Sequence, residues 1–328
     1  MEKIIKEEVY KCSKCGLCQS VCPIYIATKN ESYLTRGKCI ILNNHFNNKL
    51  KLSKKFIKNL DVCLNCNLCK DFCPSNINMF EINTILKNKY DKKIIPFSFI
   101  YKIILNFYRI FNIKRNYKLQ NKSSQNSIIY FEGCYNKYID KSDKNASLEL
   151  IEKLNYKVEK IISNCCGYPY LNEGNIEKFN TNLKEIAEQC NSNIKYIVCS
   201  CDSCYEMLMK SDNSEFKSKL IRLDELLKQH NYELPNNYQY FKPLIRKDEC
   251  YIGHDIKNIN AKGICSTMEN FFAFKHPKIA KKLKNYDNDE LKINGIFTSC
   301  NLTKWGLYKT LNFKIKSYSE YAIKKIID

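Results

Sequence analysis

Eight of the chain's cysteines fall into two copies of one spacing, and no other feature restricts the fold so tightly. Cys12, Cys15, Cys18 and Cys22 read C-x2-C-x2-C-x3-C and are followed by Pro23; Cys63, Cys66, Cys69 and Cys73 repeat the run and are followed by Pro74. Three thiols at steps of three wrap a short loop round a compact group, each free to bind one metal atom. The fourth follows a turn and points elsewhere, and the proline removes a backbone N–H where the chain turns away. Residues 1–90 read as one unit on this basis, the two loops being separated by a stretch, Arg36 to Leu60, with helical character.

This is the run of bacterial two-cluster ferredoxins, whose fourth cysteine ligates the other cluster. It assigns a first [4Fe–4S] cluster to Cys12, Cys15, Cys18 and Cys73, and a second to Cys63, Cys66, Cys69 and Cys22. Four-cysteine zinc sites also use paired C-x2-C, but they do not call for a third step followed by x3-C-P, twice. A cubane pair moves single electrons between neighbours. Cluster potentials span about −700 to +450 mV according to hydrogen bonding and exposure, so the spacing does not set a direction of flow.

The chain has 328 residues and 19 cysteines, far too long for a small disulfide scaffold. Its start, MEKIIKEEVY, has no apolar core region and no small-residue cleavage site, so a cytoplasmic, reducing setting is expected. No run of 18 apolar residues occurs; the nearest approach, Ile94–Ile113, carries Lys102, Asn106 and Arg109. Lys and Arg total 54 against 34 acidic residues, a formal charge of +20. Lys, Asn and Ile are abundant throughout, which reads as compositional bias; the sharper readings are an acidic partner or peripheral contact with the anionic inner face of the cytoplasmic membrane. No nucleic-acid module is recognisable, and no nucleic-acid partner is expected.

Residues 91–126 read as a connector. Phe97, Tyr101, Ile104 and Tyr108 fall at helical spacing, on a helix that would either pack between domains or lie on anionic lipid. A polar run from Asn121 follows as a linker. Residues 127–239 then alternate strands with helices, which implies a mostly parallel sheet. Strands are expected at Ser127–Phe131, Tyr156–Ile162 and Tyr196–Ser200, and helices at Ser142–Leu154, Asn175–Cys190 and from Met207 onward. Residues 240–328 repeat the rhythm more weakly, with Tyr251–Gly253 and Gly295–Ser299 extended. The expected architecture is α+β and multi-domain: an N-terminal helical two-cluster unit followed by a duplicated α/β domain with parallel sheets.

Three strand ends of the first copy carry cysteines: Cys134 in GCY, Cys165 and Cys166 in NCCGYP, and Cys201 and Cys204 in SCDSC. Adjacent cysteines diverge and serve a single tetrahedral ion poorly, but they can bind different irons of one cluster. Gly133 and Gly167 allow close backbone approach to a bulky group. Five thiolates on one edge of a parallel sheet fit a cofactor at the strand carboxyl ends. A third cluster, a zinc site and a redox dithiol all remain open on spacing alone.

The two ferredoxin-type runs together with GCY, CCGYP and CDSC resemble the CCG-domain iron–sulfur proteins. These include the iron–sulfur subunits of glycolate and lactate oxidases, the C subunit of anaerobic glycerol-3-phosphate dehydrogenase, and the heterodisulfide reductase B/D subunits. TRGKCIIL at Thr35–Leu42 sits where the glycolate-oxidase type has its arginine-glycine segment, and His254-Asp255 resembles the start of the second copy. The resemblance implies that Cys134, Cys165, Cys166, Cys201 and Cys204 hold a non-cubane [4Fe–4S] cluster, with zinc as the alternative. The second copy departs from the pattern: Lys257 replaces a cysteine, Ile264-Cys265-Ser266 stands for Cys-Cys-Gly, and Cys300 is followed by Thr303. A second non-cubane cluster is therefore not expected, and Cys265 and Cys300 read as remnants.

Cys39, Cys190, Cys199 and Cys250 are expected as buried thiols, and His45, His230 and His276 as surface residues. His254 beside Asp255 reads as a turn-bonding pair, or else as a proton shuttle or a contact for a quinone-like acceptor. No G-x-G-x-x-G or P-loop is present, so a flavin or nicotinamide must come from elsewhere. The resemblance implies an electron-transfer subunit, not catalytic alone. It would serve a FAD flavoprotein that oxidises a 2-hydroxy acid such as glycolate or lactate, passing electrons to a quinone-linked or soluble acceptor. The alternative is a heterodisulfide or thiol–disulfide reductase subunit whose CCG cluster is itself catalytic.

Overall fold

The structure, a computed structural model, describes residues 2–90, 99–101, 103–104, 106–107, 126–190, 193–235, 238–252, 258–260, 272–287, 295–311 and 315–323. In the N-terminal unit the helices Glu2–Tyr10, Thr35–Phe46 and Met79–Tyr90 close round Ile5, Val9, Leu42, Leu60, Ile82 and Leu86. The helical stretch expected over Arg36–Leu60 is two helices, not one. Thr35–Phe46 ends beside Asn48, whose φ is +57°, and Lys54–Asn59 starts afresh where Ser53 Oγ accepts from the Phe56 N–H at 3.1 Å. Polar turn chemistry between the two outweighs helix continuation there. Each cysteine run forms a loop leading into a short helix, Leu17–Val21 and Leu68–Asp71; Pro23 then opens the helix Pro23–Thr28.

The rest of the chain is built on two parallel sheets. β1 (Ser127–Phe131), β2 (Lys157–Ile162), β3 (Tyr196–Cys199) and β4 (Leu220–Arg222) run in the order β2-β1-β3-β4. β5 (Gln239–Lys242), β6 (Asn258–Asn260), β7 (Ile296–Thr298) and β8 (Lys316–Ser317) run in the order β6-β5-β7-β8. Helices Lys141–Lys153 and Ile176–Glu188 lie near their expected places. Two expectations are corrected. The helix after β3 begins at Asp202 and ends at Leu208, because the chain turns directly out of Cys201. The first strand of the second sheet is β5, not Tyr251–Gly253: Tyr251 and Ile252 lie outside any strand, while buried Tyr240 and Phe241 pair with β6. Gly253, His254, Asp255, Lys257, Ile264, Cys265 and Ser266 fall outside the described residues, as does most of the connector.

Both faces of the first sheet are covered, as parallel strands require. Ile129, Phe131 and Ile197 face the layer containing Phe179, Leu183 and Ile186. Ile128, Tyr130 and Val198 share the opposite core with Tyr240, Phe297 and Tyr321 of the second half. Phe297 stacks on Tyr321 with ring centroids 3.9 Å apart.

A buried charge network ties the halves together. Arg246, just after β5, has no exposed side-chain surface. It donates to Asp202 at 3.2 Å, to both carboxylate oxygens of Asp224 at 3.0 and 2.7 Å, and to Asp248 at 3.1 Å. Burial pushes the Asp202 carboxyl up to about 7, and the charges of Arg246 and Arg222 oppose that rise. No helix among the described residues is long and apolar enough to cross a membrane. Replacing Arg246 by Met strips a buried carboxylate pair of its counter-charge, and such losses cost about 3–5 kcal/mol. Urea unfolding of Arg246→Met is expected to show a loss of that order, whereas Lys184→Met, at an exposed ion pair, leaves stability unchanged.

Candidate functional site

The two N-terminal loops share one backbone pattern. In the first, Lys14 and Gly16 have φ of +61° and +87°; in the second, Asn65 and Asn67 have +55° and +59°. Each left-handed residue flanks the middle cysteine of its run. Alternation of this kind turns successive N–H groups inward and makes a concavity suited to an anionic group, as at many iron–sulfur sites. Asparagine is among the residues that accept this conformation most readily.

The fold sorts the eight cysteines into two sets. Cys12, Cys15, Cys18 and Cys73 line a small cavity of about 20 Å³, which Cys69 also borders. Cys22, Cys63, Cys66 and Cys69 line another of about 30 Å³. The side chain of Cys39, buried beneath the first loop, hydrogen-bonds Cys12 and draws its thiol down to about 6. Burial pushes Cys22 up to about 11 and Cys69 to about 12. Thiolates in such places need a positive partner, which the iron of a cluster supplies. Among the described residues, no three His, Cys, Asp or Glu side chains converge on a single ion. A cubane takes its thiolates one per iron, so its ligands stand apart.

Lys38 adds a charge that the spacing of the cysteines does not reveal. It is fully buried, with its Nζ 3.5 Å from Asn83 Oδ1. Burial lowers its pKa, while Cys63, Cys22 and Cys69 pull it back up.

The other five cysteines lie at the carboxyl ends of β1, β2 and β3. Cys134, Cys166, Cys201 and Cys204 surround a cavity of about 20 Å³. Cys165 faces a larger cavity of about 500 Å³, open to solvent, which Cys134 also lines together with Lys137, Lys178 and Asn182. Gly133 has φ +68°, and a Cβ there would stand 3.1 Å from Cys204 Sγ, so a side chain would crowd the thiols. Hydrogen bonds from Cys165 and Cys204 draw the Cys166 thiol down to about 6 against the cost of burial. The donor set is all sulfur, with hydrogen bonds among its thiols, which suits an iron–sulfur core.

Comparison with known families matches residues 8–77 to the 4Fe-4S dicluster domain and residues 128–209 to the cysteine-rich CCG domain. The chain joins a 4Fe-4S dicluster domain to a CCG domain. Similar proteins include the D subunit of dihydromethanophenazine:CoB–CoM heterodisulfide reductase from Methanosarcina mazei, 25% identical over 199 residues, covering 52% of this chain and 48% of that protein. The same subunit from Methanosarcina acetivorans is 24% identical over 211 residues, 55% and 51% of the two chains. A probable glycolate oxidase iron-sulfur subunit of Bacillus subtilis is 27% identical over 82 residues, 25% and 18% of the two chains. The chain thus spans about half the length of the heterodisulfide reductase relatives and less of the glycolate oxidase one.

The dicluster and CCG domains meet at their cysteine loops. Asn65, inside the second dicluster loop, donates from Nδ2 to Asn172 Oδ1 at 2.7 Å. Asn172 ends the helix Tyr168–Asn172, which starts directly after Cys165-Cys166-Gly167. Lys87 donates to the Asn172 carbonyl at 2.9 Å and pairs with Asp61 at 2.9 Å, holding the same junction from the dicluster side.

Other contributors also went unread in the sequence. Tyr101, expected only as part of a helical stripe, is buried, and its hydroxyl lies 3.2 Å from Cys134 Sγ. Cys300 reaches the CCG site from the second sheet, 4.0 Å from Cys201 Sγ. Cys39 and Cys199 are buried as expected, but Cys190 and Cys250 are half-buried. His230 is exposed, as expected, whereas His45 and His276 are half-buried. The His276 ring packs 4.8 Å from that of Phe272, and His45 Nδ1 lies 3.1 Å from the Leu50 carbonyl.

A buried cation beside a cluster favours its reduced, more negative form. Lys38→Met is expected to lower the midpoint potential of a cluster held by Cys63, Cys66, Cys69 and Cys22 and leave one held by Cys12, Cys15, Cys18 and Cys73 unmoved, as read by EPR-monitored redox titration. Equal shifts in both would contradict that placement.

Proposed function

We propose that this chain is the electron-transferring iron–sulfur subunit of an oxidoreductase, with three cluster sites in series. The observation that carries the reading is the Asn65–Asn172 hydrogen bond, which sets the second dicluster loop against the helix leaving the CCG loop. Cys12, Cys15, Cys18 and Cys73 would hold one cubane, and Cys63, Cys66, Cys69 and Cys22 the other. Cys134, Cys165, Cys166, Cys201 and Cys204 would hold a third, non-cubane cluster. Bound clusters supply one-electron transfer. The chain's own residues fix the separations, exclude water and set local charge: Asn65 and Lys87 brace the junction, Lys38 balances the thiolates, and Tyr101 covers Cys134.

The similarity to a glycolate oxidase iron-sulfur subunit supports a flavoprotein partner that oxidises a 2-hydroxy acid. A second reading is favoured by the open cavity at Cys134 and Cys165. There the CCG site is where a disulfide is reduced, as the heterodisulfide reductase relatives suggest. Lys137 and Lys178 on the cavity wall would attract an anionic disulfide. The units of this reading are residues 1–90 and two α/β copies joined to them through 91–126. The first copy starts at 127, and the second opens with β5, near residue 239. A duplication is supported by the repeated strand order, and by Tyr240 reaching Ser299 in the second sheet as Tyr130 reaches Ser200 in the first.

Anaerobic purification with native partners is expected to yield about twelve irons per chain, four for each cluster. An EPR signal unlike that of a cubane should be lost in Cys166→Ser. About eight irons with one zinc would leave the dicluster standing and remove the third site. The two readings separate on substrate: Lys178→Glu raises KM several-fold for an anionic disulfide under the second and leaves 2-hydroxy-acid turnover unchanged under the first.

A further inference from the structure

The second sheet sends a thiol into the CCG site of the first. β7 ends at Thr298, and Ser299 next to it holds Asp202 twice: its carbonyl accepts from the Asp202 N–H at 3.1 Å, and its hydroxyl donates to the Asp202 carboxylate. Cys300 follows, fully buried. Its Sγ lies 4.0 Å from Cys201 Sγ and 3.1 Å from Ser203 Oγ. The small cavity among Cys134, Cys166, Cys201 and Cys204 is also lined by Asn301 and Leu302, while Cys300 is not among its lining residues.

We infer that Cys300 is a positioning thiol of the CCG cluster, donating its S–H to the sulfur of Cys201 and raising the cluster's potential without ligating iron. The inference rests on the third cluster proposed above. Cys201 bound to iron is a thiolate and carries no proton, so the hydrogen in the sulfur–sulfur contact must come from Cys300. With its one hydrogen given to Cys201, Cys300 accepts from the hydroxyl of Ser203, 3.1 Å away in the first turn of the helix Asp202–Leu208. Hydrogen bonds to a cluster's sulfur withdraw negative charge from it and ease its reduction. Cys300 follows β7 as Cys201 follows β3, so a cysteine at the matching place in one sheet acts on the site in the other.

The test uses the full complex, purified anaerobically, with Cys300→Ala and Cys300→Ser. Iron and sulfide per chain are measured, and each cluster is titrated by EPR. Unchanged iron in both variants is expected, with a lower CCG midpoint potential in Cys300→Ala and most of the shift recovered in Cys300→Ser, whose hydroxyl still donates. The two dicluster signals stay put and serve as internal controls. If Cys300→Ala fails to fold, Cys300→Val, close in shape and without a donor, carries the same expectation. Loss of about four irons in Cys300→Ala with both cubanes intact would make Cys300 a ligand and overturn the inference. An unmoved potential would overturn it as well. Wild-type protein with only the two cubanes would sink the three-cluster reading, and this inference with it.

Discussion

Asp202 stands between the two cysteines of SCDSC, and the guanidinium of Arg246 reaches it from the other half of the molecule. Its carboxylate also accepts from the Ser299 hydroxyl, and Arg222 lies 3.4 Å away. A buried carboxylate is costly unless its charge is answered, so the turn from Cys201 into the helix that carries Cys204 draws part of its stability from the second sheet. Lys304, paired with Asp140 at 2.9 Å and with Glu320, repeats the tie further along the same seam. The CCG site is therefore a property of both sheets, although its five cysteines all lie in the first.

This division explains why the second half retains its fold with so few cysteines. Its β5 and β7 supply Tyr240 and Phe297 to the shared core, and the turn after β7 supplies Ser299, Cys300 and Asn301 to the surroundings of the site. Asn301 Nδ2 donates to Asn136 Oδ1 at 3.1 Å and to Asp143 at 2.8 Å, bracing the short helix Gly133–Tyr138 that carries Cys134. The second half thus braces the cysteine-bearing turns of the first.

How much of this could be read in advance depended on whether the signal was local. The dicluster spacing was legible because each loop is self-contained: its cysteines and its left-handed residues lie within a few positions. β1 and β3 were legible because each is a short apolar run ending at a cysteine or just before one; β2, with Lys157, Glu159 and Lys160, was legible from its apolar end leading to Cys165. The second sheet was misplaced at its first strand, because QYFK is no more apolar than CYIG and only pairing with β6 and β7 selects it. Lys38, Asn172 and Cys300 were illegible for a different reason. Each acts on a group distant along the chain: Asn65 and Asn172 are 107 positions apart, Cys201 and Cys300 are 99. A single sequence holds no record of such contacts.

Exposure differs sharply along the proposed series. Cys201 and Cys204 are buried, whereas Cys15 is exposed, and Leu17 beside it is 50% exposed. In the proposed arrangement the cubane nearest Cys15 is the terminal where an electron can cross to another protein, because Cys15 is the one exposed thiol among the described candidate ligands. The same opening admits dioxygen. Aerobic damage at this terminal would leave the second cubane cut off from its supply, so that activity vanishes while most of the iron is still bound.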